Sequence, residues 1–292
     1  MSVNSVKEKL ALGTVQFGLP YGINNKTGKL SKESVFDILE LAENQNIYML
    51  DSADAYGDAI QVIGSYLKVK PQKPFKIISK FIGDGLPLGP KLDATLDSLG
   101  KDHLYAYLYH RFDDYRAEEN RNELLRLKQE KKITKIGVSI YDLTELEAVI
   151  RDADIDIIQI PLNPLDSSID KLGLLGKAKS AGKEIHVRSV FLQGLLFKRP
   201  EDLTGNLAEL SSSVARFERI VNRQHLTVRQ TCLNYALHQP MVDFVIIGVD
   251  STEQLKQNID AVLPTFSPEV MAELQSISVV NRALLNPSNW KP

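Results

Sequence analysis

The chain has 292 residues, of which 43% are hydrophobic and 25% charged, with a formal net charge of −2. That balance gives no electrostatic bias towards nucleic acid or an anionic membrane surface, and the single cysteine, Cys232, excludes an intrachain disulfide framework or a multi-cysteine metal cluster. The polar start Met1-Ser2-Val3-Asn4-Ser5-Val6-Lys7-Glu8 lacks the apolar core of a signal peptide, and no run approaches the roughly 18 apolar residues of a membrane span, so a cytoplasmic location without a membrane partner is expected.

Leu10 to Thr14 reads as a short buried strand, followed by a Gly- and Asn-rich loop from Phe17 to Leu30. Ser31 is placed to cap a helix in which Val35, Ile38, Leu39 and Ala42 recur at helical spacing, up to the stop at Asn44-Gln45-Asn46. The strand-helix pattern then repeats: a strand at 47–51 with a helix near 58–69, one at 75–80 with a helix near 90–99, and one at 104–109 with a helix near 117–131. Residues 133–138 precede a helix from about 143 to 151, and 155–160 precede one near 168–181. A strand at 184–187 leads into a long insertion and helices to 238, including one from Thr227 to His238 that carries Cys232 on what reads as a buried face. The last unit is 244–247 with a helix near 252–262. Lys198 to Asn206 reads as a long loop over one face, and the tail Asn286 to Pro292, with the only tryptophan, Trp290, is placed over an end of the barrel or its mouth.

Eight alternating units in a chain of this length favour a closed (β/α)₈ TIM barrel, one domain spanning 1–292, because short continuous apolar strands joined by helical crossovers make a parallel sheet covered by helices. An open doubly wound sheet is the other arrangement, but no Gly-x-Gly-x-x-Gly opens the first helix. In such a barrel the carboxyl ends of the strands face one mouth, where chemistry sits. Asp51, Lys80 and His110 end strands two, three and four, and Tyr56 lies in the turn after strand two. A phenol, normally of pKa about 10, delivers a proton usefully near neutral pH only beside a cation or dipole. Lys80, held by Asp51, is expected to lower the pKa of Tyr56 and make it a general acid, with His110 orienting a substrate oxygen. Each residue alone reads more readily as structural; their joint placement points to a site. His103, His186, His225 and His238 lack acidic or cysteine companions at ligand spacing, so no metal site is expected, and no Gly-x-Ser-x-Gly nucleophile elbow occurs.

With Gly13-Thr14, Asp51-Ser52-Ala53-x-x-Tyr56-Gly57, Lys80, His110, Gly137-Val138-Ser139 and Gln159 in this order, the chain resembles the aldo-keto reductases from about Leu10 to Asn258. The resemblance implies a barrel that binds a nicotinamide dinucleotide, usually NADPH with NADH also possible, and reduces a small-molecule aldehyde or ketone. It assigns Asp51, Tyr56, Lys80 and His110 to the catalytic tetrad. On the cofactor side it assigns Gly13, Thr14, Asp51, Ser139 and Gln159, the last two holding the carboxamide, although Ile140 stands where the family usually has Asn.

The segment Arg188 to Leu196 matches the stretch that stacks on the nicotinamide and binds the pyrophosphate, which brings in Ser189, Leu192 and Gly194. Arg188 replaces a stacking tyrosine; an ion pair with a neighbouring carboxylate is its other reading. Gly248, Gln254 and Asn258 fall in the adenosine-phosphate segment, but Gly248, Val249 and Gln254 replace the family's Lys, Ser and Arg, which weakens the NADPH preference. Ser251 and Gln254 also read as a capping box that needs no ligand. Ile60 replaces a Glu common shortly after the Tyr-Gly pair. Two other readings stand beside this one: a cofactor-binding regulatory or scaffolding subunit of the same fold family with little turnover, and an unrelated barrel isomerase or aldolase using Lys80 as a Schiff-base amine, disfavoured because Asp51 would keep that lysine charged. Substrate choice is expected to lie with Phe17 to Leu30, Arg111 to Tyr115, Phe197 to Asn206 and the Trp290 tail. No motif encodes an oligomeric state.

Overall fold

The computed structural model describes residues 2–23, 25, 28–70 and 75–291. Its eight strands are β1 Leu10–Gly13, β2 Met49–Asp51, β3 Lys76–Phe81, β4 Leu104–Tyr109, β5 Ile133–Ser139, β6 Ile157–Pro161, β7 Glu184–Arg188 and β8 Phe244–Gly248. They pair in parallel in chain order, and β8 pairs with β1, so the sheet closes into a barrel as expected. The helices, in chain order, are α1 Val3–Lys7, α2 Val15–Gly18, α3 Lys32–Asn44, α4 Ala59–Val69, α5 Leu88–Leu99, α6 Phe112–Tyr115, α7 Glu118–Gln129, α8 Leu143–Ile150, α9 Ile169–Ser180, α10 Ser211–Arg223, α11 Val228–Leu237, α12 Thr252–Asp260 and α13 Pro268–Gln275.

Period-two alternation decides which strand residues look inwards. Ala11, Met49, Ile78, Ala106, Leu108, Ile157 and Ile246 form one cluster that plugs the barrel. The intervening Leu10, Leu12, Leu50, Ile77, Tyr107, Ile158 and Val245 pack outwards with the helices in the main core. All the strands but β5 and β7 therefore contribute to two apolar layers, which is why those runs read as continuously hydrophobic.

Several segments depart from expectation. The loop expected from Phe17 to Leu30 starts inside α2, and residues 24, 26 and 27 of it lie outside the described residues. The short helix α6 occupies the loop after β4. The Lys198 to Asn206 stretch contains the 3₁₀ turn Pro200–Asp202, flanked by Leu192–Phe197 and Gly205–Leu210. These turns, α10, α11, α13 and the tail share a second core that includes Leu192, Leu196, Leu210, Phe217, Cys232, Leu274 and Leu285. Cys232 is thus buried as expected, and burial pushes its thiol pKa up. The Trp290 tail packs on this second core: Trp290 Nε1 donates to the Leu284 carbonyl at 2.8 Å, and Asn206 Nδ2 donates to the Asn289 carbonyl at 2.9 Å.

At the amino ends of the strands, Glu184 gathers the Tyr105 hydroxyl at 2.8 Å, the Lys135 ammonium and His186, whose Nε2 lies 2.6 Å away. Burial works against the Glu184 carboxylate, but His186, Lys135 and Tyr105 outweigh it and hold its pKa at about 2. A carboxyl depressed on folding stabilises above its ordinary pKa and stops doing so as pH falls through the folded value. Glu184→Gln should therefore lower the melting temperature at neutral pH and shrink the acid-side loss between the ordinary value of 4.5 and about 2. Identical melting curves for both proteins across that range would remove the cluster from the stability of the barrel.

Candidate active site

Two residues beyond each inward plug residue the same parity delivers the next inward side chain, now at the carboxyl end of the barrel. Asp51 follows Met49, Lys80 follows Ile78, His110 follows Leu108, Gln159 follows Ile157, and Gly13 and Gly248 follow Ala11 and Ile246. Ser139 and Arg188 end β5 and β7. The candidate residues meet because the strands are in register, with Gly13 opposite Asp51 and Ser139 opposite Gln159.

Lys80, 1% exposed, donates to Asp51 Oδ2 at 2.6 Å and to the Ser52 carbonyl at 2.9 Å, and the other Asp51 oxygen accepts from Gln159 Nε2 at 2.8 Å. Burial disfavours the ammonium, but Asp51 and Tyr56 together outweigh it and hold the lysine pKa above its usual value. The ammonium also lies 5.1 Å from the centre of the Tyr56 ring. Here the structure corrects the sequence reading: burial pushes the phenol pKa up, and Lys80 offsets this only in part, so Tyr56 keeps its proton at neutral pH. His110 meets the Tyr56 ring edge to face at 5.8 Å. Burial and the nearby Lys80 charge lower its pKa to about 4, so the imidazole is neutral, and its buried Nδ1 has no partner among the described residues.

Tyr56 is placed by the backbone. Asp54 accepts from the Ser79 hydroxyl at 3.1 Å and the Tyr107 hydroxyl at 2.8 Å, tying the turn to β3 and β4. Gly18, at the end of α2, lies against the same turn: a Cβ there would stand 1.8 Å from the Tyr56 carbonyl oxygen. Gly57 returns the contact in a left-handed conformation, φ +57°, and a Cβ on it would meet the Gly18 oxygen at 2.5 Å. Two chains of backbone touch where side chains cannot fit.

A cavity of about 490 Å³ opens over these residues. Asp51, Tyr56, Lys80 and His110 line it, together with Gly13, Thr14, Ser139, Gln159, Arg188, Ser189, Gly194, Gly248, Gln254 and Asn258. Leu192 is the exception among the expected residues, its side chain being buried in the second core because the backbone turns through left-handed φ at Ser189, Leu192 and Gln193. Of the loops expected to set substrate choice, Tyr21, Gly22, Asn25 and Phe197 reach the cavity wall; residues 111–115 and the tail do not line it. Gln193 Nε2 donates to the Tyr21 hydroxyl at 2.6 Å, joining the loop after β1 to the insertion after β7.

Arg188 forms no ion pair among the described residues. Its guanidinium lies 4.2 Å from the Tyr141 ring centre and donates from Nη2 to the Ile140 carbonyl at 3.2 Å and the Ser139 hydroxyl at 3.5 Å. The Ser251 hydroxyl caps the Gln254 N–H at 3.1 Å, but Gln254 Oε1 accepts from the Asp250 N–H, so the expected box closes one residue early. Ile60 is buried in the main core.

The family comparison decides what this arrangement belongs to: a profile described as the aldo/keto reductase family matches residues 9–279. The chain belongs to that family. Aldo-keto reductase str7 of Strobilurus tenacellus is 25% identical over 275 residues, covering 85% of this chain and 82% of its own. Probable aldo-keto reductase 1 of Glycine max is 25% identical over 305 residues, covering 91% and 88%. Among solved structures, the holo form of aldo-keto reductase AKR11C1 from Bacillus halodurans superposes with a TM-score of 0.76 at 21% identity, over 92% of this chain and 91% of that one, a likeness of fold. Membership makes this chain an oxidoreductase of small-molecule carbonyl compounds. No helix among its described residues is long and apolar enough to cross a membrane.

Residues of this aldo/keto reductase that the sequence reading passed over include Gln16, Tyr141 and Arg229, all on the cavity wall. Arg229, from the first turn of α11, donates to Asn258 and, at 3.0 Å, to Gln257 Oε1, with Phe191 and Phe197 against its guanidinium. Its signal was absent because nothing in a helical arginine says that it faces a cavity.

Proposed function

We propose that the chain is a cytoplasmic NAD(P)H-dependent reductase of aldehydes or ketones. The observation that carries this is the buried Asp51–Lys80 pair set against the Tyr56 ring in a cavity that also reaches Ser139, Gln159 and the β8–α12 segment. A dinucleotide fits these residues: Gln159 and Ser139 present amide and hydroxyl groups to a carboxamide, and Gln16 Oε1 and His110 Nδ1 are buried polar atoms with no partner among the described residues. When bound, the reduced nicotinamide supplies the hydride. Tyr56 gives its proton to the carbonyl oxygen as negative charge grows there. Lys80 stabilises the phenolate left behind, and Asp51 holds Lys80 in place. Neutral His110 donates a hydrogen bond to the same oxygen, a contact that strengthens only as the transition state forms. Because Asp51 keeps Lys80 charged, Schiff-base chemistry at that amine is not supported.

At the adenosine end, Gly248 and Gln254 offer no cation, and the Ser251 hydroxyl already caps the Gln254 N–H in the first turn of α12. Arg229 is the cation lining that end, which supports NADPH over NADH with a modest margin. Calorimetric titration with NADPH and NADH, followed by a broad carbonyl panel with the tighter one, tests the reading. Cofactor binding without carbonyl-dependent oxidation would favour the regulatory-subunit reading.

Gly18→Ala is expected to shift the Tyr56 turn and lower turnover by about 10², the scale of a misplacement near 1 Å, together with a fall in melting temperature, because the added Cβ meets only main chain that cannot swing aside. Unchanged turnover would mean that the Gly18–Tyr56 contact does not position the phenol.

A further inference from the structure

The four catalytic residues are charge-balanced on their own, and Arg188 breaks that balance. Asp51 and Lys80 neutralise each other at 2.6 Å, Tyr56 retains its proton, and His110 is neutral. Arg188 then adds a full positive charge at the mouth of the same strands. Its contacts are a neutral ring, a carbonyl and two hydroxyls, those of Ser139 and, at 3.4 Å, Ser189. Among the described residues no carboxylate lies within ion-pair distance; Asp51 is engaged by Lys80 and Gln159, and Asp250 by Gln254. The charge is felt across the site, since Arg188 opposes proton uptake at both Lys80 and His110.

Resting on the nicotinamide reading above, we propose that Arg188 makes this site discriminate between the two redox states of the cofactor, holding the reduced form and repelling the oxidised one. The reduced nicotinamide ring is neutral. Transfer of a hydride, two electrons and a proton, to the carbonyl carbon leaves the ring as a cation, while the carbonyl oxygen takes the Tyr56 proton and leaves as a neutral alcohol. Every other charge returns to its starting value once Tyr56 is reprotonated, so the ring charge is the net difference between the two bound states. A guanidinium hydrogen-bonded to Ser139, one of the groups placed to hold the carboxamide, opposes that charge directly. In a cavity screened less than bulk water, repulsion between unit charges a few ångströms apart is worth about tenfold or more in affinity. The consequence is faster release of the spent cofactor and a bias towards reduction.

Isothermal titration of NADPH and NADP⁺ into the wild type, Arg188→Met and Arg188→Lys proteins tests this without turnover. The wild type should bind NADPH at least about tenfold more tightly than NADP⁺. In Arg188→Met that ratio should shrink by about tenfold, chiefly through tighter NADP⁺, and Arg188→Lys should preserve it. An unchanged ratio in Arg188→Met overturns the inference, as does equal weakening of both forms, which would make Arg188 a phosphate contact or a structural support. If the wild type binds neither form, the nicotinamide reading itself falls, a result separable from a wild type that binds both with equal affinity.

Discussion

Tyr56→Phe is expected to cut carbonyl reduction by about 10² to 10⁴, the range a well-placed general acid contributes, while cofactor affinity stays nearly unchanged. The ring remains, so its edge-to-face contact with His110 and the Lys80 ammonium 5.1 Å from its centre persist. Only the hydroxyl is lost, and with it the proton that burial keeps on the phenol at neutral pH. Steady-state kinetics beside a calorimetric titration of NADPH separate the two effects. Wild-type turnover in the variant would take Tyr56 out of the chemistry.

Lys80→Met should be more costly still, because it acts on stability as well as on rate. Asp51 is 3% exposed and would lose its cation while keeping only the Gln159 amide. Removing one member of a buried pair typically costs about 3–5 kcal/mol, since the remaining charge is stranded away from water. A fall in melting temperature together with loss of turnover is expected. The double variant Asp51→Asn/Lys80→Met should regain most of the stability and none of the activity. Denaturation curves showing no destabilisation in Lys80→Met would mean that the pair contributes nothing net to the fold.

Much of the architecture was legible because its signals are local. Eight short apolar runs, each followed by an amphipathic stretch, determine a parallel barrel, and period-two parity then sends Asp51, Lys80 and Gln159 inwards without reference to any other part of the chain. What escaped depends on distance or on burial. The direction of the Tyr56 pKa turns on how far desolvation outweighs the Lys80 field, and spacing along a sequence carries no measure of either. The burial of the Leu192 side chain in the second core was not legible because the reversal there runs through left-handed φ at the non-glycine residues Ser189, Leu192 and Gln193 as well as at Gly194. Helix α13 carries a start signal in Ser267-Pro268-Glu269, yet it belongs to no strand-helix unit and packs in the second core. Arg229 serves the cavity from a helix whose composition looks ordinary.

The meeting of Gly18 and Gly57 also bears on how this scaffold could be re-engineered. The segment after β1 supplies Tyr21, Gly22 and Asn25 to the cavity wall, which makes it a natural target for grafting a foreign loop to change substrate range. Its anchor is a main-chain contact with the turn that carries the proton donor, so a graft beginning before residue 19 would disturb catalysis before it altered recognition. Libraries that keep 15–18 fixed and diversify from Leu19 onwards vary the wall while leaving the phenol where it is.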